Sequence, residues 1–280
     1  MTPHLTVCAD DFALSPAVSA AIAGLAASER INATSCMAVM PGWIEDARRL
    51  RDLPQRLSIG LHIVLTDLPP LGGTSALAPR GMLPRLDQLA RRSLAGHLPE
   101  ADIRAEVERQ FDRFGDGIGR MPEFVDGHQH CHHLPRIRDI VIDISARRAP
   151  GAWLRDCSDS LSGMAVRPFR WKALRSAAWS AGFAAAAHRR GLRVNDGFAG
   201  HYDFRRPYAG VFERFLARPG RHHLVMCHPG AGLMPGDSIA AARIAERDTL
   251  AGLPVRELAE AAGLSFGRAS PFPGAQIKSR

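Results

Sequence analysis

Asp126-Gly127-His128-Gln129-His130-Cys131-His132-His133 is the stretch from which the rest of the chain is read. It holds four of the chain's twelve histidines. The residues before it, 124–126, have strand character, and Leu134-Pro135 after it marks a turn into a helix. The cluster therefore stands at the carboxyl end of a strand, where α/β folds place their sites. If the backbone stays extended, residues i and i+2 share a face, so Asp126, His128 and His130 are expected to look into one cavity. Neutral imidazole is the commonest protein ligand for a transition metal. The bland reading is a surface histidine run or a closed structural site, but no Cys-x-x-Cys pair supports a closed site.

Working outward, short apolar runs alternate with helical stretches. Strands are expected over 5–9, 33–39, 57–65, 123–126, 153–157, 192–195 and 224–227. Ser15 and Pro16 read as N-cap and first residue of a helix reaching 28. Further helices are expected up to residue 50 and over 102–114, 135–147, 171–190, 211–217, 239–251 and 255–262. The one over 102–114 carries Ile103, Val107 and Phe111 on one stripe, and the one over 171–190 stops at Gly191. The segments 66–84, 158–167 and 196–207 read as long loops. Nothing repeats and the composition never shifts, so residues 1–267 read as one α/β domain with parallel strands and 268–280 as a disordered tail. The sheet is either a (β/α) barrel or an open doubly wound sheet. The absence of Gly-x-Gly-x-x-Gly and Walker loops disfavours nucleotide binding.

The 280 residues are 46% hydrophobic, enough for one large core, and carry a formal net charge of +8. Only Lys172 and Lys278 are lysines; the rest of the positive charge is arginine, spread as pairs such as Arg48-Arg49 and Arg147-Arg148 near expected helix ends. A basic nucleic-acid or anionic-lipid binder would cluster its cations among aromatics, and aromatics make up only 6% of this chain. The five cysteines, Cys8, Cys36, Cys131, Cys157 and Cys227, lie far apart in apolar stretches and are expected as buried thiols. With no signal-peptide pattern at the N-terminus and no apolar run of spanning length, a cytoplasmic protein without a membrane span is expected.

Polar residues recur where the expected strands end: Asp10 and Asp11, His62, the histidine cluster, Arg155 and His228. In a barrel those ends converge at one mouth. A carboxylate with two imidazoles forms an open three-ligand metal site with room for water. Adjacent Asp10 and Asp11 point to opposite faces of an extended strand and reach one site only if the backbone turns there. One of them would then bind metal and the other stay free as a base. Taken singly, each has an ordinary explanation: a helix-approach turn, a satisfied core histidine, a turn residue, a structural ion pair. His4, His97, His188, His201, His222 and His223 are read as surface or loop residues.

Ala9-Asp10-Asp11-Phe12, Gly60-Leu61-His62, Asp126-Gly127-His128-Gln129-His130 and Cys227-His228-Pro229-Gly230 occur in the order that resembles the YdjC-like (chitooligosaccharide deacetylase) family. The resemblance covers the chain to about Gly267. It implies a distorted (β/α) barrel of about seven parallel strands and one divalent ion, magnesium or zinc. The implied reaction is hydrolysis of the N-acetyl group of an amino sugar, on an oligosaccharide or a lipid-linked sugar. Asp11, His62 and His128 resemble the metal ligands and Asp10 the catalytic base. His130 would line the substrate site, His228 would serve as the acid, and Arg155 would orient Asp10. The substrate would be the partner, with peripheral contact to a lipid-linked form and homodimer assembly both compatible. Ala13 departs from the pattern, which usually ends in Gly; a positive φ there would cost on the order of 1 kcal/mol.

In that reading the ion polarises the acetyl carbonyl and Asp10 takes a proton from water. The nearest rival is a metal-dependent amidohydrolase or phosphoesterase, but those barrels usually carry His-x-His on the first strand, where this chain has Asp-Asp. A glycosidase needs two opposed carboxylates, for which Glu123 and Asp126 are a poor pair.

Overall fold

Parallel pairing joins nine strands of the computed structural model, which describes residues 2–51, 53, 57–233 and 236–268. They are β1 (His4–Phe12), β2 (Ala33–Cys36), β3 (Ser58–Ile63), β4 (Phe124–Gly127), β5 (Trp153–Leu154), β6 (Arg193–Val194), β7 (Gly197–Ala199), β8 (His222–Cys227) and β9 (Ser265–Phe266). The order is β6-β5-β4-β3-β2-β1-β8-β7, with β9 on the start of β1. The sheet curls into a half-barrel with helices packed outside. Its two edges, β6 and β7, are consecutive in the chain and joined by Asn195 and Asp196. The Asn195 side chain pairs with both backbone groups of Asp156 at 2.8 Å and donates to the Gly197 carbonyl. It thereby binds the exit of β5 to the seam.

Side-chain alternation sorts the strands into two layers. Leu5, Val7 and Ala9 of β1 face the helices and join the main core with Ile22, Ile103, Val107 and Phe111. Cys8, Ala33, Phe124, Trp153, Leu224 and Met226 face inward and fill the barrel floor. Each large apolar side chain so buried contributes about 1.5–3 kcal/mol. Gly60 has a steric reason: a Cβ there would lie 2.4 Å from the Phe124 ring, which is stacked on Trp153 at 4.6 Å.

Several expectations hold. Ser15 caps the helix Pro16–Ala27 by accepting from the Val18 N–H, and all five cysteines are buried and free. The stripe of Ile103, Val107 and Phe111 is buried on the helix Glu100–Ile118. Others are corrected. The strand expected over 33–39 stops at Cys36. The helix expected over 171–190 is two, Arg170–Trp179 and Phe183–Arg189, parted at Gly182 with φ of 78°. The loop over 158–167 contains the helix Leu161–Val166, the loop over 196–207 contains β7, and Leu86–Leu94 is an unanticipated helix. The loop over 66–84 lacks regular structure but is anchored. Glu106 accepts from the N–H groups of Leu71 and Gly72, and Leu77 and Ala78 are buried. From residue 269 the expected tail lies outside the described residues. No helix among the described residues is long and apolar enough to cross a membrane.

His223 is a core residue, not a surface one. It is fully buried; its Nε2–H donates to the Phe215 carbonyl at 2.8 Å and its Nδ1 accepts from the Gly220 N–H. Burial, with Arg167 nearby, lowers its pKa to about 3. Between pH 6.5 and about 3 the unfolded chain therefore binds a proton at this residue that the folded state refuses, so stability falls as pH falls through that window. Urea denaturation at several pH values should show this slope, flattened in His223→Gln; an equal slope in the variant removes the assignment. Ala13 has φ of 75°. Left-handed strain of about 1–2 kcal/mol there outweighs the extra chain entropy of glycine, about 0.5–1 kcal/mol. Ala13→Gly should thus raise the urea midpoint by the equivalent of about 0.5–1 kcal/mol, and a lowered midpoint would contradict that balance.

Candidate active site

Along the inner face of the sheet, polarity changes toward the carboxyl ends. Cys8 is followed by Asp10, Ala33 by Ser35, Gly60 by His62, Phe124 by Asp126, Trp153 by Arg155 and Met226 by His228. The period of two puts each pair on one face, so the polar members form a layer above the apolar floor. Asp10, Ser35, His62, Asp126 and Arg155 are all buried.

Arg155 is the centre of that layer. Its Nη1 and Nη2 reach the two oxygens of Asp10 at 2.6 Å each, and Nη2 also lies 2.5 Å from Asp126 Oδ2 and 3.1 Å from Cys8 Sγ. The other Asp126 oxygen accepts from Ser35 Oγ and stands 2.7 Å from His62 Nδ1. Burial raises the pKa of Asp126, but the charges of Arg155 and His62 outweigh it and bring it to about 2. Burial opposes protonation of His62, yet Asp126 and Asp11 lift its pKa to about 10.

Asp11 and His128 complete a second group. Asp11 Oδ1 is 3.4 Å from His62 Nε2 and 3.2 Å from His128 Nδ1, while Oδ2 accepts from Arg243 Nη2 at 2.7 Å. Burial alone would raise the Asp11 pKa; hydrogen bonds from His128 and His62 and the Arg243 charge hold it well below the carboxylate range. Asp11 has φ of 66°. This left-handed turn brings two adjacent carboxylates to one mouth instead of opposite faces of the strand.

Among the described residues, three sets of ligand atoms lie within 4.8 Å of one another: Asp11, His62 and His128; Cys8, Asp10 and Asp126; His132, His133 and Cys157. The second is already filled by the Arg155 guanidinium. The third has no carboxylate, burial disfavours a cation at both histidines, and His132 Nε2 is already engaged with the Arg155 carbonyl. The first fits a divalent ion. Asp126 holds His62 Nδ1, leaving Nε2 directed at Asp11, the carboxylate–histidine support usual behind metal ligands. His128, partly exposed, leaves one side open.

The extended reading of Asp126, His128 and His130 is overturned. β4 ends at Gly127, and His128–His133 forms a 3-10 turn in which Gln129 and His130 have φ of 53° and 60°. Asp126 stays below, supporting His62 and Arg155. His130 swings aside, its Nδ1 3.3 Å from Cys157 Sγ and its ring edge-on to Phe198 and His201. Burial, with His201 beside it, keeps His130 neutral. His132 and His133 are buried against Phe183, and His132 Nε2–H donates to the Arg155 carbonyl. His201, read as a surface or loop residue, lies in the loop after β7 with its ring edge-on to His130. His228 donates its backbone N–H to Glu246, and its ring meets Phe204 edge-on. Burial lowers the His228 pKa to about 4 against the pull of Asp11 and Asp10.

Arg243 and Glu246 escaped the sequence reading. A signal existed: Ala240, Arg243, Glu246 and Leu250 are the buried stripe of the helix Ala240–Gly252, so charges occupy two core-facing positions. Glu246 accepts from Tyr202 Oη at 2.6 Å as well as from His228, and burial lifts its pKa to about 7. Removing the central cation should be severe. Arg155→Leu strands Asp10 and Asp126 as buried anions and is expected to cost about 3–5 kcal/mol in urea denaturation at neutral pH; a loss under 1 kcal/mol would refute the hub.

A family model described as YdjC-like protein matches residues 4–261. The chitooligosaccharide deacetylase of Klebsiella pneumoniae strain 342 is 27% identical over 265 residues, 94% of this chain and 96% of that one. The chitooligosaccharide deacetylase of Enterobacter sp. strain 638 is 36% identical over 150 residues, 53% of this chain and 58% of that one. In such alignments the chain spans a little over half the length of the curated relatives it matches. A crystal structure from Enterococcus faecalis V583, of a protein whose suggested role is cellobiose-phosphate cleavage, superposes with a TM-score of 0.75. It has 18% identity and covers 95% of this chain and 97% of that one, a likeness of fold. The match over 4–261 decides the family: this chain belongs to the YdjC-like proteins.

Proposed function

We propose that this protein is a metal-dependent hydrolase that removes the N-acetyl group of an amino sugar, carried on an oligosaccharide or a lipid. The observation that carries the reading is the pairing of two unlike carboxylates at one mouth. Asp10 is held by a guanidinium, and Asp11 faces two imidazoles. The deacetylase relatives point to the same chemistry.

Asp11, His62 and His128 would hold the ion. Two imidazoles and one carboxylate suit zinc better than magnesium, which prefers oxygen ligands. A bound divalent ion supplies Lewis acidity toward the acetyl carbonyl and a lowered pKa for water. Asp10, fixed in orientation by Arg155, accepts the proton of the attacking water. His228, neutral at rest, would take up the proton that Asp10 removes from water and pass it to the departing amine, so that both groups return to their starting state. His130, with His201 and Phe198, walls the sugar site and excludes water.

The test joins metal analysis to an acetate-release screen over N-acetylated sugars, including lipid-linked ones. Asp10→Asn should retain the metal and lose at least a hundredfold in turnover; Asp11→Asn should lose the metal. Acetate release at the wild-type rate from Asp10→Asn would remove Asp10 as the base, and absence of acetate release from every amino sugar would remove the reading itself.

A further inference from the structure

The helix Arg170–Trp179 is inside out. Its buried positions are the small residues Ala173 and Ser176, whereas Trp171 and Leu174 are 57% and 56% exposed. An ordinary surface helix buries its large apolar side chains. Leu161, on the adjoining helix Leu161–Val166, is 81% exposed. The two helices are pinned from beneath: buried Arg167 pairs with Asp159 and donates to the carbonyls of Phe215 and Ala217.

Cations surround the apolar side chains. Arg170, Lys172 and Arg175 lie on the helix itself, and Arg205 and Arg206 on the adjoining loop, with Asp203 as the one acid of that loop. Lys172 and Arg175 stand 5.8 and 5.3 Å from the Trp171 ring, and Arg206 5.2 Å from the Phe169 ring. Tryptophan and leucine among arginines, outward-facing, is the chemistry of an element that lies in the headgroup layer of an anionic bilayer.

The same element borders the site. Ser176 Oγ is 2.8 Å from His201 Nε2, and His201 meets the His130 ring. Phe204 has Lys172 on one side and His228 on the other, at 5.5 and 5.8 Å. Met82 and Leu233, further exposed apolar residues, lie on segments leaving β3 and β8 at the end that carries the site.

We infer that the segment 161–179 docks on an anionic phospholipid surface and sets the site mouth against it, so that the substrate is an amino sugar on a membrane-held lipid. The substrate clause rests on the deacetylase reading; the docking clause does not. The experiment is co-sedimentation of the full chain with phosphatidylcholine vesicles, with and without about one-third phosphatidylglycerol. Binding should require phosphatidylglycerol and shift the tryptophan emission to the blue. Trp171→Ser with Leu174→Ser should weaken it at least tenfold. Arg170→Ser with Arg175→Ser should weaken it about fivefold per cation. These side chains are exposed, so circular dichroism should remain unchanged. No binding to either vesicle, binding unaltered by the serine variants, or a dimer in sedimentation equilibrium that the variants abolish would overturn docking. Vesicle binding with acetate release from soluble N-acetylated sugars alone would overturn the substrate clause. Vesicle binding with no acetate release from any amino sugar would overturn the deacetylase reading and leave docking standing.

Discussion

One guanidinium carries this structure's inner layer. Arg155 leaves β5 and touches carboxylates from β1 and β4; Asp126 then holds His62 of β3 and Ser35 of β2. Five strand ends are tied through one buried cation. Neither carboxylate could remain ionised at this depth alone, because desolvating a charge without a partner costs more than burying the rest of the side chain returns. The network is sound only as a whole, with Arg243 balancing Asp11 as Arg155 balances Asp10.

The layer was legible because strands repeat every two residues. Once an apolar run is read as a strand, the polar residue that ends it is assigned a face, and Asp10, His62, Arg155 and His228 were found that way. The same rule failed beyond Asp126, at His128 and His130. Gln129 and His130 turn left-handed, and a period of two does not survive a turn. β7 and β9 have three and two residues and pair with distant partners, so no local pattern announces them. Arg243 and Glu246 resembled a solvated helix face, since charge is normally evidence of exposure. His223 owes its burial to the packing of the whole fold around β8, which no local pattern reveals.

Strain collects at two strand exits. Asp11, Ala13, Gln129 and His130 all have positive φ, and none is glycine. They sit at the exits of β1 and β4, the two strands whose carboxylates share Arg155. Such conformations cost of order 1 kcal/mol or more each and persist only where the surroundings enforce them. Here the enforcement is visible: the Ala13 N–H donates to Ser19, and Asp11 is gripped by Arg243 and by His128.

That strain separates two chemical tasks. On a straight strand Asp10 and Asp11 would face different compartments, one in the barrel and one among the helices. The left-handed turn at Asp11 keeps both at the mouth but gives them different neighbours. Asp10 has both oxygens on the Arg155 guanidinium, so its position is fixed. Asp11 faces imidazoles, which exchange a proton for a metal ion. A single backbone angle thus gives two identical residues different neighbours, and under the proposed deacetylase reading one would take the proton and the other hold the ion. Neither role could be assigned from the pair Asp-Asp alone.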